Sequence, residues 1–370
     1  MMTFAAYPQA LVLTCLCLIA SACAGDPRPP CDSLGEIPTL CGLRNPEDLA
    51  YAPDAGIVIV SSMRWDSDRE TAGGFLSAVT ADEGAIVRLW PPSPDAVAAE
   101  SDTTLGDPGC TEPPEANAFY PHGIAVADRD NGTFVYVVGH RGALGGREAV
   151  EIFKLAGRRE SAKLMKLIWK ACVPTPGAVL ANDVAPHNDG GFIASNYLPD
   201  RSLWHTIRSA LLGTKTGNVI RWRPDEGWSE VDNTESALAN GVALTRDGET
   251  LFYTETMTGK LYRLRLDAIA GRIAVDIGGN PDGLTWTSRG TLLVATHTSG
   301  SVFMLCALGK RPCTTGWAVY EVDPVTLATS QVLEHDGSEL GAVATALEAN
   351  GVMYLGSVYD DRIGAIPLTH

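Results

Sequence analysis

ANGVALTRDGETLFYTET (residues 239–256) holds the unit from which the rest of the chain is read. Asn240-Gly241 opens it, Val242 and Leu244 alternate with smaller or polar neighbours, Arg246-Asp247-Gly248 supplies a tight turn, and LFYTET (251–256) is strongly β-forming. The same order recurs along the chain. Glu47-Asp48-Leu49 precedes IVIVSS (57–62), His122-Gly123-Ile124 precedes FVYVVG (134–139), Asn182-Asp183-Val184 precedes FIASNY (192–197), and Asp282-Gly283-Leu284 precedes LLVATH (292–297). A weaker sixth copy runs from Val343 through VMYLGSV (352–358). Third-strand candidates follow at 150–155, 217–222, 260–266, 301–305 and 362–368. Six units of three or four strands over roughly 320 residues match the period of propeller repeats. The fold expected is all-β, a six-bladed β-propeller over residues 41–370 with a central channel. A sandwich or jelly roll also has many short strands, but only radial repetition brings equivalent opening residues together around one axis.

The composition agrees: 38 glycines, 23 prolines and 19% charged residues in 370 favour short strands and tight turns over long solvated helices. A net charge of −16 argues against nucleic acid, whose binding needs clustered Lys and Arg. The apolar run 10–22 (ALVLTCLCLIASA) is too short to span a bilayer and suits the core of a signal peptide over residues 1–22. Ala20-Ser21-Ala22-Cys23 satisfies the small-residue cleavage rule and resembles a lipobox, although Ala20 stands where Leu or Val is usual and no Lys or Arg precedes the run. Residues 23–40 then read as a lipid-anchor tether and N-terminal segment, and the protein as exported: an envelope lipoprotein, or periplasmic or secreted. Membrane association is expected through a lipidated Cys23 or through 199–213, where Leu203, Trp204, Ile207, Leu211 and Leu212 fall at near-helical spacing. Cys31, Cys41, Cys110, Cys172, Cys306 and Cys313 remain for disulfides; Cys306–Cys313, flanking a turn, is the pair expected first.

Closing such a repeat into a ring would bring Glu47, Asn182, Asn240 and Asp282 to one mouth of the channel. Any one of them is an ordinary turn residue, but together they form an all-oxygen set with two negative charges, which suits Ca²⁺ rather than a thiolate- or imidazole-seeking metal. Asp48 and Asp183, one residue on, would hold a second ion with the Ile124 carbonyl and lock the blades. His122 and His140 end one hairpin, so neighbouring strands would bring the rings together for general-base chemistry; His297 ends another strand near the same mouth.

Asn-Pro-Glu-Asp-Leu (45–49), Tyr-Pro-His-Gly-Ile (120–124), Val-Val-Gly-His (137–140), Val-Glu-Ile-Phe-Lys-Leu (150–155), Ala-Asn-Asp-Val (181–184), Ala-Asn-Gly-Val (239–242) and Gly-Ser-Val-Tyr (356–359) occur in the order that resembles the paraoxonase/arylesterase family. The resemblance covers nearly the whole mature chain. It implies a six-bladed propeller hydrolysing lactones and aryl esters with two Ca²⁺. Glu47, Asn182, Asn240 and Asp282 would hold the catalytic ion, and Asp48, Asp183 and the Ile124 carbonyl the structural one. His122 and His140 would form the catalytic dyad, with His297 and Asn196 in the pocket wall. One position departs: Gly283 stands where that family has another ligand, and Asn280-Pro281-Asp282-Gly283-Leu284 is more similar to the gluconolactonase/regucalcin branch. Water or Asn280 would then complete the shell, and Asp282 becomes a second candidate for the base. The rival readings are a non-catalytic, calcium-stabilised propeller that binds a ligand or partner, and a strictosidine-synthase-like propeller.

Overall fold

The computed structural model describes residues 30–368 except 32–34, 64–72, 81–83, 93–98, 142–144, 158–163, 178, 199–207, 209–211, 268–270, 301–302, 304–305 and 307–313. Residues 1–22 and Cys23 lie outside the described residues, as does most of 199–213; Arg208 and Leu212 within it are helical. No helix among the described residues is long and apolar enough to cross a membrane.

Six four-stranded antiparallel sheets form the blades. The first contains β2 (Pro46–Ala52), β3 (Ile57–Ser62), β4 (Phe75–Thr80) and β5 (Ile86–Trp90), the second β6 (Phe119–Arg129), β7 (Gly132–Arg141), β8 (Ala149–Ala156) and β9 (Lys166–Pro174). The third has β10 (Leu180–Pro186), β11 (Phe192–Leu198), β12 (Asn218–Arg223) and β13 (Gly227–Glu230); the fourth β14 (Ala239–Leu244), β15 (Thr250–Glu255), β16 (Lys260–Arg265) and β17 (Ile273–Asp276). β18 (Asn280–Trp286), β19 (Leu292–His297), β20 (Trp317–Val322) and β21 (Thr329–His335) make the fifth. In the sixth, β22 (Val343–Ala349), β23 (Val352–Ser357) and β24 (Arg362–Pro367) are completed by β1 (Thr39–Cys41) from the other end of the chain. This outer strand straddles the boundary expected at residue 41. The innermost strands β2, β6, β10, β14, β18 and β22 contact one another in a closed ring.

An apolar cluster sits at each blade junction. Leu76 and Trp90 meet Phe119 and Trp169 between the first two blades, Tyr136 meets Phe192 between the second and third, and Leu49 and Val60 meet Leu347 and Tyr354 where the ring closes. Second strands have both faces packed, which is why IVIVSS is buried at every position and reads as a continuous apolar run. Outer strands such as β21 are mostly exposed and polar. The expected third strand at 301–305 is not β20; Phe303 there is helical and β20 begins at Trp317, because a short apolar run alone does not separate helix from strand.

Gly241 shows how tightly neighbouring blades meet. A Cβ there would lie 2.7 Å from Asp282 O and 2.8 Å from Leu284 N, both backbone atoms of the next blade. Gly241→Ala is expected to cost about 2–3 kcal/mol by overpacking, read as a lower urea midpoint; an unchanged midpoint would show that the blades part freely.

Cys31–Cys41 ties the leading segment to β1, and Cys110–Cys172 ties the loop before β6 to β9, with Cα–Cα separations of 5.8 and 5.7 Å. Cys306 is also disulfide-bonded, while Cys313, its expected partner, lies outside the described residues. The Cys110–Cys172 bridge spans 62 residues, so replacing both cysteines by serine is expected to lower stability by about 2–4 kcal/mol. Thermal unfolding of the double variant against the parent tests this, and equal midpoints would refute it.

Candidate active site and metal centre

Each innermost strand breaks register at an equivalent place, and β10 shifts a second time between Leu180 and Ala181. Pairing jumps from Pro46↔Ser62 to Asp48↔Ser61 in β2, from Pro121↔Gly139 to Ile124↔Val137 in β6, and from Ala181↔Asn196 to Val184↔Ala194 in β10. The same jump falls between Ala239 and Val242, Pro281 and Leu284, and Val343 and Thr345 in the other three. One extra residue on the inner strand is a β-bulge, a device that re-aims a side chain and recurs beside active sites. Glu47, His122, Asn182, Asn240, Asp282 and Ala344 therefore occupy equivalent places around the axis. The first five are the residues singled out by the repeat; the sixth blade presents only a methyl group.

Glu47, Asn182, Asn240 and Asp282 are all buried. Among the described residues, Glu47 Oε2 and Asn240 Oδ1 have no hydrogen-bond partner. Asn240 Nδ2 donates to Thr256 Oγ1 at 3.2 Å, which leaves its oxygen as the uncommitted end. Buried acceptors without donors are costly, and oxygens of this kind fit a hard cation. Electrostatics point the same way. Burial, then the neighbouring Glu47 charge, pushes Asp48 up to about 7; burial, then Asp48, raises Asp183 well above the usual carboxylate range. Burial works against the charged form of His122, yet Glu47, Asp282 and Asp48 together hold its imidazole above the ordinary value. Among the described residues no group of three or more His, Cys, Asp or Glu is arranged as a metal site; the candidate set is half asparagine.

Asp48 and Asp183 make direct links between blades. Asp48 Oδ2 accepts from Ile124 N at 2.6 Å and Oδ1 from Thr345 Oγ1 at 2.8 Å, while Asp183 Oδ2 accepts from Val242 N at 2.7 Å. Ile124, expected to offer its carbonyl to an ion, thus meets Asp48 through its amide. Gly283, the departure from the resembling family, has a steric origin: a Cβ there would lie 2.7 Å from Thr345 Oγ1 and 2.8 Å from Ala344 O. Asn280 Nδ2 donates to Thr256 O at 2.8 Å, which commits the nitrogen end of its amide.

The two hairpin histidines meet: His122 Nδ1 and His140 Nε2 are 3.0 Å apart, and His122 Nε2 lies 3.4 Å from Glu47 Oε1. Glu148, which sequence reasoning missed, approaches His140 Nδ1 with Oε2 at 2.6 Å. His297, expected in the pocket wall, is wholly buried behind Asp282, with Nε2 2.9 Å from Asp282 Oδ2 and its ring stacked on Phe303. Asn196 is half-buried; its Nδ2 donates to Asn218 Oδ1 at 3.0 Å, and its Oδ1 has no partner among the described residues. Tyr197 and Tyr359, also missed, are raised by burial and then by Asp282. Beside His140 opens a cleft of about 280 Å³ lined by Glu112, Glu115, Phe119, Arg147 and Glu151 among others. The Arg147 charge is taken up by Glu151 at 2.7 Å, so the cleft offers no spare cation.

The model of the SMP-30/Gluconolactonase/LRE-like region matches residues 83–312, more than half of the chain. The Arabidopsis thaliana protein strictosidine synthase-like 10 is 32% identical over 97 residues, 25% of this chain and 26% of that protein. An uncharacterized protein of Sulfolobus acidocaldarius is 31% identical over 80 residues, 20% of this chain and 29% of its own length. The matches thus span under a third of these relatives. Among solved structures, a gluconolactonase from Xanthomonas campestris aligns at 15% identity with TM-score 0.50, covering 90% of this chain and 89% of that one. The PQQ-bound aldose sugar dehydrogenase from Streptomyces coelicolor aligns at 16% identity with TM-score 0.53, covering 91% of this chain and 98% of that one. These two likenesses speak for the fold alone.

Proposed function

Since the chain belongs to the SMP-30/gluconolactonase/LRE-like family, we propose that it is a calcium-dependent hydrolase of lactones, with aryl esters as secondary substrates. The observation that carries the reading is the bulge ring: four buried oxygen-bearing side chains beside a hydrogen-bonded histidine pair. Glu47, Asn182, Asn240 and Asp282 would hold the catalytic ion, and Asp48, Asp183 and the Ile124 carbonyl a second one. When bound, the catalytic ion supplies Lewis acidity toward the carbonyl oxygen.

The residues of the chain account for the rest. His122 Nε2 removes a proton from water, hydroxide adds to the carbonyl carbon, the ring C–O bond breaks, and the departing alkoxide recovers the proton. His140 holds His122 through the 3.0 Å contact. Asp282 is the weaker candidate for the base because its Oδ2 already accepts from His297. A substrate that extends past His140 into the neighbouring cleft would meet Glu112 and Glu115 with Arg147 neutralised, which disfavours a carboxylate of its own.

A panel of neutral γ- and δ-lactones, a carboxylate-bearing lactone and phenyl esters tests the proposal. Neutral lactones should turn over fastest. No turnover with any of them, alongside calcium-dependent melting, would instead support the ligand-binding propeller. We also propose that residues 1–22 direct export and that Cys23 is the anchor. The Cys31–Cys41 and Cys110–Cys172 disulfides support an oxidising compartment, and mass spectrometry of the mature N-terminus tests both points.

A further inference from the structure

We infer that Glu148 is a positioning residue that sets the tautomer of the histidine pair, an inference that rests on the hydrolase reading for its catalytic consequence. Glu148 directly precedes β8, whose first residue Ala149 pairs with Gly139, the neighbour of His140 in β7. The same strand order places the Glu148 carbonyl under Thr175 N at 3.0 Å, fastening this point of the chain to the end of β9. Its side chain is only 17% exposed. One carboxylate oxygen lies 2.6 Å from His140 Nδ1, and the other accepts from Arg141 N at 3.3 Å.

A carboxylate accepts and does not donate, so the proton in the 2.6 Å contact belongs to His140 Nδ1. Neutral His140 then has only a lone pair at Nε2, and the 3.0 Å contact requires the proton on His122 Nδ1. Once a bound cation takes up the Glu47 charge, neutral His122 in turn keeps a lone pair at Nε2, the nitrogen on the Glu47 side of the ring. One carboxylate, two contacts away, thereby decides which nitrogen of His122 faces the ring of oxygens. Without it, His140 is free to carry its proton on Nε2, donate to His122 Nδ1, and leave the facing nitrogen of His122 protonated and useless as a base. Orientation of a catalytic imidazole by a buried acceptor follows the logic of hydrolase triads.

The test uses the full protein loaded with calcium, as parent, Glu148→Gln and Glu148→Asp. Imidazole ¹⁵N spectra, assigned with a His140→Gln variant, report the tautomer without reference to activity. The parent should show His140 protonated at Nδ1, and Glu148→Gln should lose that pure state. kcat should fall about 100-fold in Glu148→Gln with KM changed far less, and Glu148→Asp should recover part of the loss. A parent His140 protonated at Nε2, or a Glu148→Gln variant with parental kcat, overturns the inference. If no lactone is turned over by the parent, the hydrolase reading fails by itself, and the spectra still decide whether Glu148 sets the tautomer.

Discussion

Stripping divalent cations from the purified protein is expected to lower lactone turnover by at least about 1,000-fold, since the charge stabilisation a bound metal contributes is worth several kcal/mol and each 1.4 kcal/mol is tenfold in rate. The melting temperature should fall with it. Glu47, Asp48, Asp183 and Asp282 are buried, and the charges on Glu47 and Asp48 already drive their neighbours toward protonation. A cation that binds only the folded ring relieves this repulsion and stabilises that state by mass action. Adding Ca²⁺ back should restore both properties. Mg²⁺ should restore them poorly, because it demands a smaller, near-octahedral shell. Full turnover in protein shown by elemental analysis to be metal-free would defeat the proposal.

His122→Gln is expected to reduce kcat about 10²- to 10⁴-fold, the range for loss of a general base, with calcium content and melting temperature close to the parent. The glutamine amide keeps approximate volume and can bond His140, but it has no nitrogen that accepts a proton near neutral pH. His122 is the imidazole of the pair that approaches Glu47, at 3.4 Å, whereas His140 is enclosed between His122 and Glu148. His140→Gln should therefore cost less. Parental turnover in His122→Gln would move the proton transfer to Asp282, and Asp282→Asn with metal retained would then be the variant to measure.

The repeat was legible because one local requirement recurs in every blade. The inner strand bulges before its hairpin begins, and Glu-Asp, His-Gly, Asn-Asp, Asn-Gly and Asp-Gly pairs mark that place in five of the six blades. From those marks the architecture and the ring Glu47, Asn182, Asn240 and Asp282 followed without long-range information. His122 and His140 were also within reach, since a single hairpin joins them. What escaped depends on contacts between strands whose register no short motif records. Glu148 acts because the third strand of its blade starts beside His140, and nothing in Gly-Arg-Glu-Ala (146–149) says so. The resemblance put His297 in the pocket wall; its contacts with Asp282 and Phe303 were not readable from its place at a strand end. The disulfides join positions 10 and 62 residues apart, and cysteine spacing does not choose among the pairings. In the fifth blade the apolar residues 301–305 drew attention from β20, which is separated from β19 by an insertion.

The last blade takes its outer strand from residues 39–41 and its other three from 343–367. Until residues 362–367 have been synthesised, the earliest strand has no edge to pair with, and any sheets formed before then would stand as an open arc with an apolar flank at each end. Long-range closure of this kind is slow and leaves sticky surface exposed meanwhile. A chain of this design gains from remaining unfolded during synthesis and snapping shut in one late step, much as a bracelet is worthless as a bracelet until its clasp engages.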